Sequence, residues 1–278
     1  MKHPHLAARI YSEPWHLVPQ KLEEITLAFE RHSATPAAGL KKPMSGDDGE
    51  DDDPPEQEIE IFGGVALAKI HGVLGRRLSM LEMICGGYDT ALLTEQLQAI
   101  AHDPAVHTLV LDFDSPGGMA AGNAACAAAI LACGAAGKRV IAYASGDCCS
   151  AAYYLASAAG EIHADPDSRI GSISTICHGV DTSRQWAMQG KELKLFTTGK
   201  YKATGMDGKA WTPEEEAYLM DRVNLLDSEF KSFVTSRRPD LPADAMEGQW
   251  WYARHAPAGL CDSIAFPTLE ALLQSLFS

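Results

Sequence analysis

The 278-residue sequence is short of positive charge: 23 Lys and Arg stand against 37 Asp and Glu, a formal net of -14. A nucleic-acid surface needs clustered basic residues, so binding to phosphate backbones is excluded as the main role. No Cys-x-x-Cys pair occurs among the seven cysteines, and their number is odd. That spacing excludes a disulfide framework and fits buried thiols in a reducing compartment. Residues 1–14 contain no apolar stretch long enough for a secretory signal. The most apolar run, 117–137, is mostly alanine and glycine with Asn123 inside it. Alanine contributes little to membrane transfer, so this run reads as a buried helix and the chain as cytoplasmic.

The acid is concentrated. Nine of the 37 acidic residues lie between Asp47 and Glu60, with no base among them. Outside that stretch the balance is nearly ordinary. From Thr35 to Glu58 the composition is Pro, Gly, Ser and acid, which cannot bury enough apolar surface to offset its ordering entropy. The expected organisation is an N-terminal helical segment (1–34), an acidic flexible linker (35–58) and one larger domain (59–278). The linker lacks the alternating Asp-x-Asp-x-Asp-Gly spacing of a calcium loop. It is expected to be dispensable for chemistry and suited to docking basic partners.

Beyond Ile59 the pattern alternates. Strands are expected at Val65–Val73, Thr108–Phe113, Arg139–Tyr143, Ile170–Ile176 and Leu193–Thr197. Helices are expected there at Asp89–His102, Met119–Cys133, Cys149–Ala159, Thr182–Gln189 and Pro213–Ser236, the last with Thr212 as its N-cap, and in the N-terminal segment at Pro19–Arg31. Such alternation predicts an α/β fold with a mainly parallel sheet covered by helices.

Three segments can carry chemistry. Asp114-Ser115-Pro116-Gly117-Gly118 follows a buried strand and precedes a helix, where bare backbone amides can face a developing oxyanion. A tight turn is the plain alternative. Tyr143–Ala156 again runs from a strand into a helix of small residues. Ser150 there is either a nucleophile or an N-cap, and Cys148 and Cys149 are rival nucleophiles without a local base. Thr197–Gly205 holds Lys200 and Lys202; a lysine desolvated beside a serine can act as general base. Asp112 and Asp114 share a strand face and read as structural rather than as a cation site. Trp250-Trp251-Tyr252 reads as core packing, with a peptide-binding aromatic patch as the alternative.

In this order the segments resemble the signal peptide peptidase A family of Ser/Lys peptidases, in the branch of lambda-type phage capsid (prohead) proteases. Ser115-Pro116-Gly117-Gly118 is similar to that family's turn. Cys149-Ser150-Ala151 with Leu155–Ala159 is similar to its nucleophile helix. Arg169-Ile170-Gly171-Ser172 resembles the following strand, Gly199-Lys200-Tyr201-Lys202 the lysine segment, and Ala258-Gly259-Leu260-Cys261-Asp262 the C-terminal closure. Ala7–Pro14 resembles the capsid-protease opening.

The resemblance implies the caseinolytic protease/crotonase-like superfold. It makes Ser150 the nucleophile and Lys202 the base, with Lys200 the weaker candidate. The amides of Gly118 (or Gly117) and Ala151 would form the oxyanion hole. Neither metal nor nucleotide is called for. Ala152 departs from the glycine common there. The implied substrates are capsid scaffold, portal or coat proteins, cut inside an assembling procapsid in the host cytoplasm. A homo-oligomer is implied, in which serine and lysine can come from different subunits. A scaffold-like continuation, frequent in lambda-type relatives, is expected on a separate chain or outside this sequence. The readings set against it are a host-type peptidase of the same family, a caseinolytic-type Ser-His-Asp protease using His178 and Asp262, a crotonase-like acyl-CoA enzyme, and an inactive capsid component.

Overall fold

The computed structural model describes residues 9–11, 13–34 and 57–278. The expected linker falls, but for its last two residues, outside the described residues. A central sheet gathers β2 (Glu60–Phe62), β3 (Val65–His71), β6 (Thr108–Ser115), β8 (Arg139–Cys149), β9 (Glu161–Ala164), β10 (Arg169–Gly171) and β11 (Trp250–Tyr252). Its order is β11-β10-β8-β6-β3-β2, with β9 also on β8. The interior pairs are parallel, while β2 and β11 close the edges antiparallel. A second, four-stranded sheet runs β1-β7-β4-β5, built from β1 (Trp15–Leu17), β4 (Val73–Gly75), β5 (Gly87–Asp89) and β7 (Gly117–Met119). The expected α/β architecture with a mainly parallel sheet is present.

Strand alternation sorts the core. Ala66, Ala68 and Ile70 of β3, with Leu109, Leu111 and Phe113 of β6, face one layer. That layer holds Leu93 and Leu97 of α3 (Thr90–His102), Cys126 and Ile130 of α4 (Asn123–Ala135), and α5 (Ala151–Ala156). Val65, Leu67, Val110, Ile141 and Tyr143 face the opposite layer, against Leu272 of α8 (Leu269–Leu276). Both faces of the sheet are therefore buried, which is why its strands read as continuous apolar runs.

The remaining helices are α1 (Pro19–Ala34), α2 (Met80–Ile84), α6 (Ser183–Met188) and α7 (Pro213–Arg237). Among the described residues no helix is long and apolar enough to cross a membrane. Thr212 caps α7 as expected: its Oγ1 accepts the Glu215 amide at 3.3 Å, and Glu215 reciprocates on the Thr212 amide at 3.1 Å.

Several elements differ from the sequence expectation. The run 65–73 breaks at Gly72, whose φ of 99° turns the chain from β3 into β4 and so from one sheet to the other. The helix after Pro116 begins only at Asn123, because Gly117–Met119 is spent as β7. β10 stops at Gly171, where Gly171 and Ser172 both take positive φ, 109° and 53°. Leu193–Thr197 is not a strand: no neighbour among the described residues pairs with it, and Phe196 is 93% exposed. Trp250 and Tyr252 lie on the open face of edge strand β11 rather than in the core, where Arg169 and Arg254 stack on their rings.

Candidate active site

β8 runs through the centre of the main sheet and ends at Cys149, so Ser150 stands at the strand's C-terminal tip, directly before α5. Its backbone is φ 55°, ψ -114°, a conformation that costs a non-glycine residue about 1–3 kcal/mol. The surroundings impose it. The Ser150 N–H donates to the Gly171 carbonyl at 2.7 Å, and the Ser150 carbonyl accepts the Tyr154 N–H at 2.9 Å. The first pins the serine to β10 and the second starts the α5 ladder.

The plain N-cap role does not hold: Ser150 occupies the capping position, but its hydroxyl makes no capping hydrogen bond. Its Oγ is buried and without a hydrogen-bond partner among the described residues. An unsatisfied buried hydroxyl held on a strained turn is the local arrangement of a nucleophile elbow.

The turn after β6 lies beside it. A Cβ placed on Gly117, whose φ is 103°, would stand 2.9 Å from the Ser150 Cβ. Only glycine lets the two segments approach this closely. The Gly117 amide is itself engaged, donating to the Ser115 hydroxyl at 3.2 Å. Gly118 lies between strands, in register with His16 of β1 on one side and Leu74 of β4 on the other. The Ala151 amide, in the first turn of α5, precedes the helix ladder. Gly118 and Ala151 thus lie on the two segments that meet at Ser150.

The rival thiols are disarmed. Cys148 and Cys149 are fully buried. Burial, with the Asp147 carboxylate adding to it, pushes the Cys149 thiol up to about 12. Burial likewise raises Cys148 well above its ordinary value. Neither supplies a thiolate near neutrality.

The remaining candidates are dispersed. Lys202 is exposed in the 199–205 turns and makes no hydrogen bond to Ser150. Lys200 lies over the Tyr201 ring at 5.2 Å. The segment carrying both is tied to α7, where Glu215 accepts the Thr204 hydroxyl at 3.1 Å and pairs with Lys209. His178 packs edge-on against Tyr11, with its Nε2 3.5 Å from the Thr26 hydroxyl. Asp262 is held by Arg238. The pair needed for a Ser-His-Asp triad is therefore not assembled with Ser150. Asp112 bonds His71 at 2.8 Å and Asp114 accepts the Asp147 amide at 3.0 Å, both structural contacts.

His16 stands out only in the fold. Its imidazole is buried, with Nε2 3.0 Å from the Thr175 hydroxyl and Nδ1 3.2 Å from the Asn123 amide nitrogen. Burial pulls its pKa down to about 4, against the opposing charge of Asp227. The one available signal was a histidine between the apolar residues Trp15 and Leu17.

Comparisons with known proteins bear on these residues. The family model for peptidase family S49 matches residues 133–271, a span that includes Ser150, Lys202 and Asp262. The chain is 32% identical over 220 residues to the capsid assembly protease C of Escherichia phage lambda, covering 73% of this chain and 48% of that protein. It is 32% identical over 196 residues to the head-tail preconnector protein GP5 of Enterobacteria phage P21, covering 70% and 38%. The chain thus spans about half or less of these relatives' length. A crystal structure of an enoyl-CoA hydratase/isomerase family member is similar at 18% identity with a TM-score of 0.43, covering 80% of this chain and 75% of that one. That likeness is too distant to bear on chemistry. The strained turn at Ser150 lies within the S49 match, and the chain belongs to peptidase family S49.

Proposed function

We propose that this chain is a serine endopeptidase of phage head assembly, cleaving scaffold, portal or coat proteins with Ser150 as nucleophile and Lys202 as general base. The observation that carries the reading is the strained, buried and unpartnered Ser150 hydroxyl beside the Gly117–Gly118 turn. The relatedness to capsid assembly protease C and to GP5 supports the substrate class.

In the proposed reaction a neutral Lys202 amine takes the proton of Ser150 Oγ as that oxygen attacks the peptide carbonyl. The Gly118 and Ala151 amides stabilise the oxyanion, and the protonated lysine passes its proton to the leaving amine. Water, deprotonated by the same amine, then hydrolyses the acyl-enzyme. A lysine needs desolvation to be neutral at working pH, and Lys202 is exposed in the single chain. A second copy supplies that burial in our reading. Phe196, Met188 and Met206 leave apolar surface open around the same segment, and the base then reaches the serine of a neighbouring copy.

The test is co-expression of wild type, Ser150→Ala and Lys202→Ala with capsid proteins, read by the masses of the products. Both variants should lose processing by about a thousandfold or more. Full processing by either removes its residue from the dyad.

A further inference from the structure

Strand β1 is hydrogen-bonded along both edges. Toward β7, the Ala120 amide donates to the Pro14 carbonyl at 3.3 Å and the Val18 amide to the Pro116 carbonyl at 3.1 Å. Toward the segment after β10, the Trp15 amide donates to the Ile176 carbonyl at 2.7 Å, and the Ile176 amide returns a bond to the Trp15 carbonyl at 2.9 Å. Antiparallel ladders bond at alternate pairs, so the pair between Pro14–Ala120 and Val18–Pro116 is His16–Gly118. That register sets the Gly118 N–H, one of the oxyanion donors of the proposed reaction, against the carbonyl of His16.

Three further observations place this carbonyl at the nucleophile. A Cβ added to Gly117 would collide with the His16 oxygen while standing 2.9 Å from the Ser150 Cβ, so both crowd one point. The His16 side chain fills a closed pocket, 4.6 Å from the Phe230 ring and 6.4 Å from that of Tyr154 between centroids, with Asn123 and Thr175 at its nitrogens. Trp15 and Leu17 point the other way, into a cluster with Leu22 and Met119. Finally, Ser150 is 1% exposed. An extended backbone added to a sheet edge, with one side chain read by a pocket, is the geometry of peptide recognition by strand addition.

Resting on the peptidase reading above, we propose that residues 14–18 occupy the substrate's own strand position as an internal substrate mimic, with His16 standing for the residue whose carbonyl Ser150 attacks. The chain is latent until a substrate strand displaces β1. The mimic survives because the Ser150 hydroxyl has no partner among the described residues to take its proton. The pocket also defines a preference: a planar side chain of imidazole or phenyl size, with a polar edge for Asn123 and Thr175, directly before the cut bond.

A fluorophosphonate probe small enough to need no cleft tests this on the full-length chain. Trp15→Pro removes the Trp15 donor to Ile176, and His16→Gly empties the pocket. Each variant is compared with wild type and Ser150→Ala, with hydrogen exchange at Gly118 and Ile176 reporting whether β1 has left. Both variants should label at Ser150 about tenfold faster than wild type or more, since reactivity follows the open fraction. A synthetic peptide of residues 13–18, Glu-Pro-Trp-His-Leu-Val, should slow labelling of the His16→Gly chain again. Wild type labelling as fast as both variants overturns the mimic. So does an intact mass showing wild type cut between His16 and Leu17, which makes the segment a substrate instead. Absence of labelling in every chain although the two amides exchange freely in the variants overturns the nucleophile reading itself.

Discussion

Arg238 holds Asp262 with two hydrogen bonds, Nη1 to Oδ2 at 3.0 Å and Nη2 to Oδ1 at 2.7 Å, while its Nε donates to the Gly259 carbonyl at 2.9 Å. Asp262 also accepts the Ile162 amide at 2.7 Å. One guanidinium therefore ties α7, the 258–262 turn and β9 together. Asp262→Ala strands a mostly buried Arg238 and should cost about 2 kcal/mol, read by urea unfolding. Burial alone would raise the Asp262 carboxyl, but the Arg238 and Ile162 donors outweigh it and hold it below its ordinary 3.8. A depressed carboxylate stabilises fully above that ordinary value and loses its contribution as pH falls below it. The acid limb of the stability curve should accordingly flatten in Asp262→Ala.

His16 gives a second pH dependence at a higher range. Its pKa falls from 6.5 to about 4 in the fold, so the neutral ring is the one that is seated. The stabilisation is complete above pH 6.5 and is lost as pH falls toward 4. Asn123 and Thr175 at the ring are neutral, and Asp227 of α7 is the charge opposing the shift. Between pH 7.5 and 5 the chain should lose about 2 kcal/mol, a slope that His16→Phe should abolish.

Gly118→Ala should be among the most damaging single changes. The added Cβ would overlap the Leu74 carbonyl and main chain, with no flexible side chain to yield. The second sheet must part, at a cost of about 3 kcal/mol or more. Gly137→Ala is the control: its φ is 86° but nothing among the described residues lies within 4 Å, so only the backbone cost of about 1 kcal/mol applies. Thermal unfolding of both separates overlap from dihedral strain.

If Lys202 acts across an interface, mixing Ser150→Ala with Lys202→Ala chains should restore cleavage that neither shows alone. A mixed assembly contains some interfaces with an intact serine facing an intact lysine. Activity of about half the wild-type level or less is expected if subunits mix freely. A mixture as inactive as its components would place both groups in one chain.

How much was legible in the sequence depends on the range of each contact. The parallel strands and their helices announced themselves because both sheet faces are buried, giving unbroken apolar runs such as Thr108–Phe113. The Ser150 turn and the glycine turn were readable because their backbone geometry is local. Strand β1 was not, since Trp15–Leu17 is too short to show alternation and is held by Gly117–Met119, a hundred residues away. Leu193–Thr197 misled for the opposite reason: its residues favour a strand, but among the described residues no partner stands beside it. Trp250 and Tyr252 have apolar bodies but sit on an edge strand, where arginines rather than core atoms cover them.

The bond from the Ser150 amide to the Gly171 carbonyl also bears on synthesis. A ribosome delivers Ser150 some twenty residues before Gly171, and β10 with its flanking turn must be in place before the serine's dihedrals can be held. A nascent or truncated chain ending short of Gly171 carries the serine without the constraint that sharpens it. Under the proposed reaction, reactivity is thus withheld from fragments by chain order alone, before any contact from the N-terminal strand is considered.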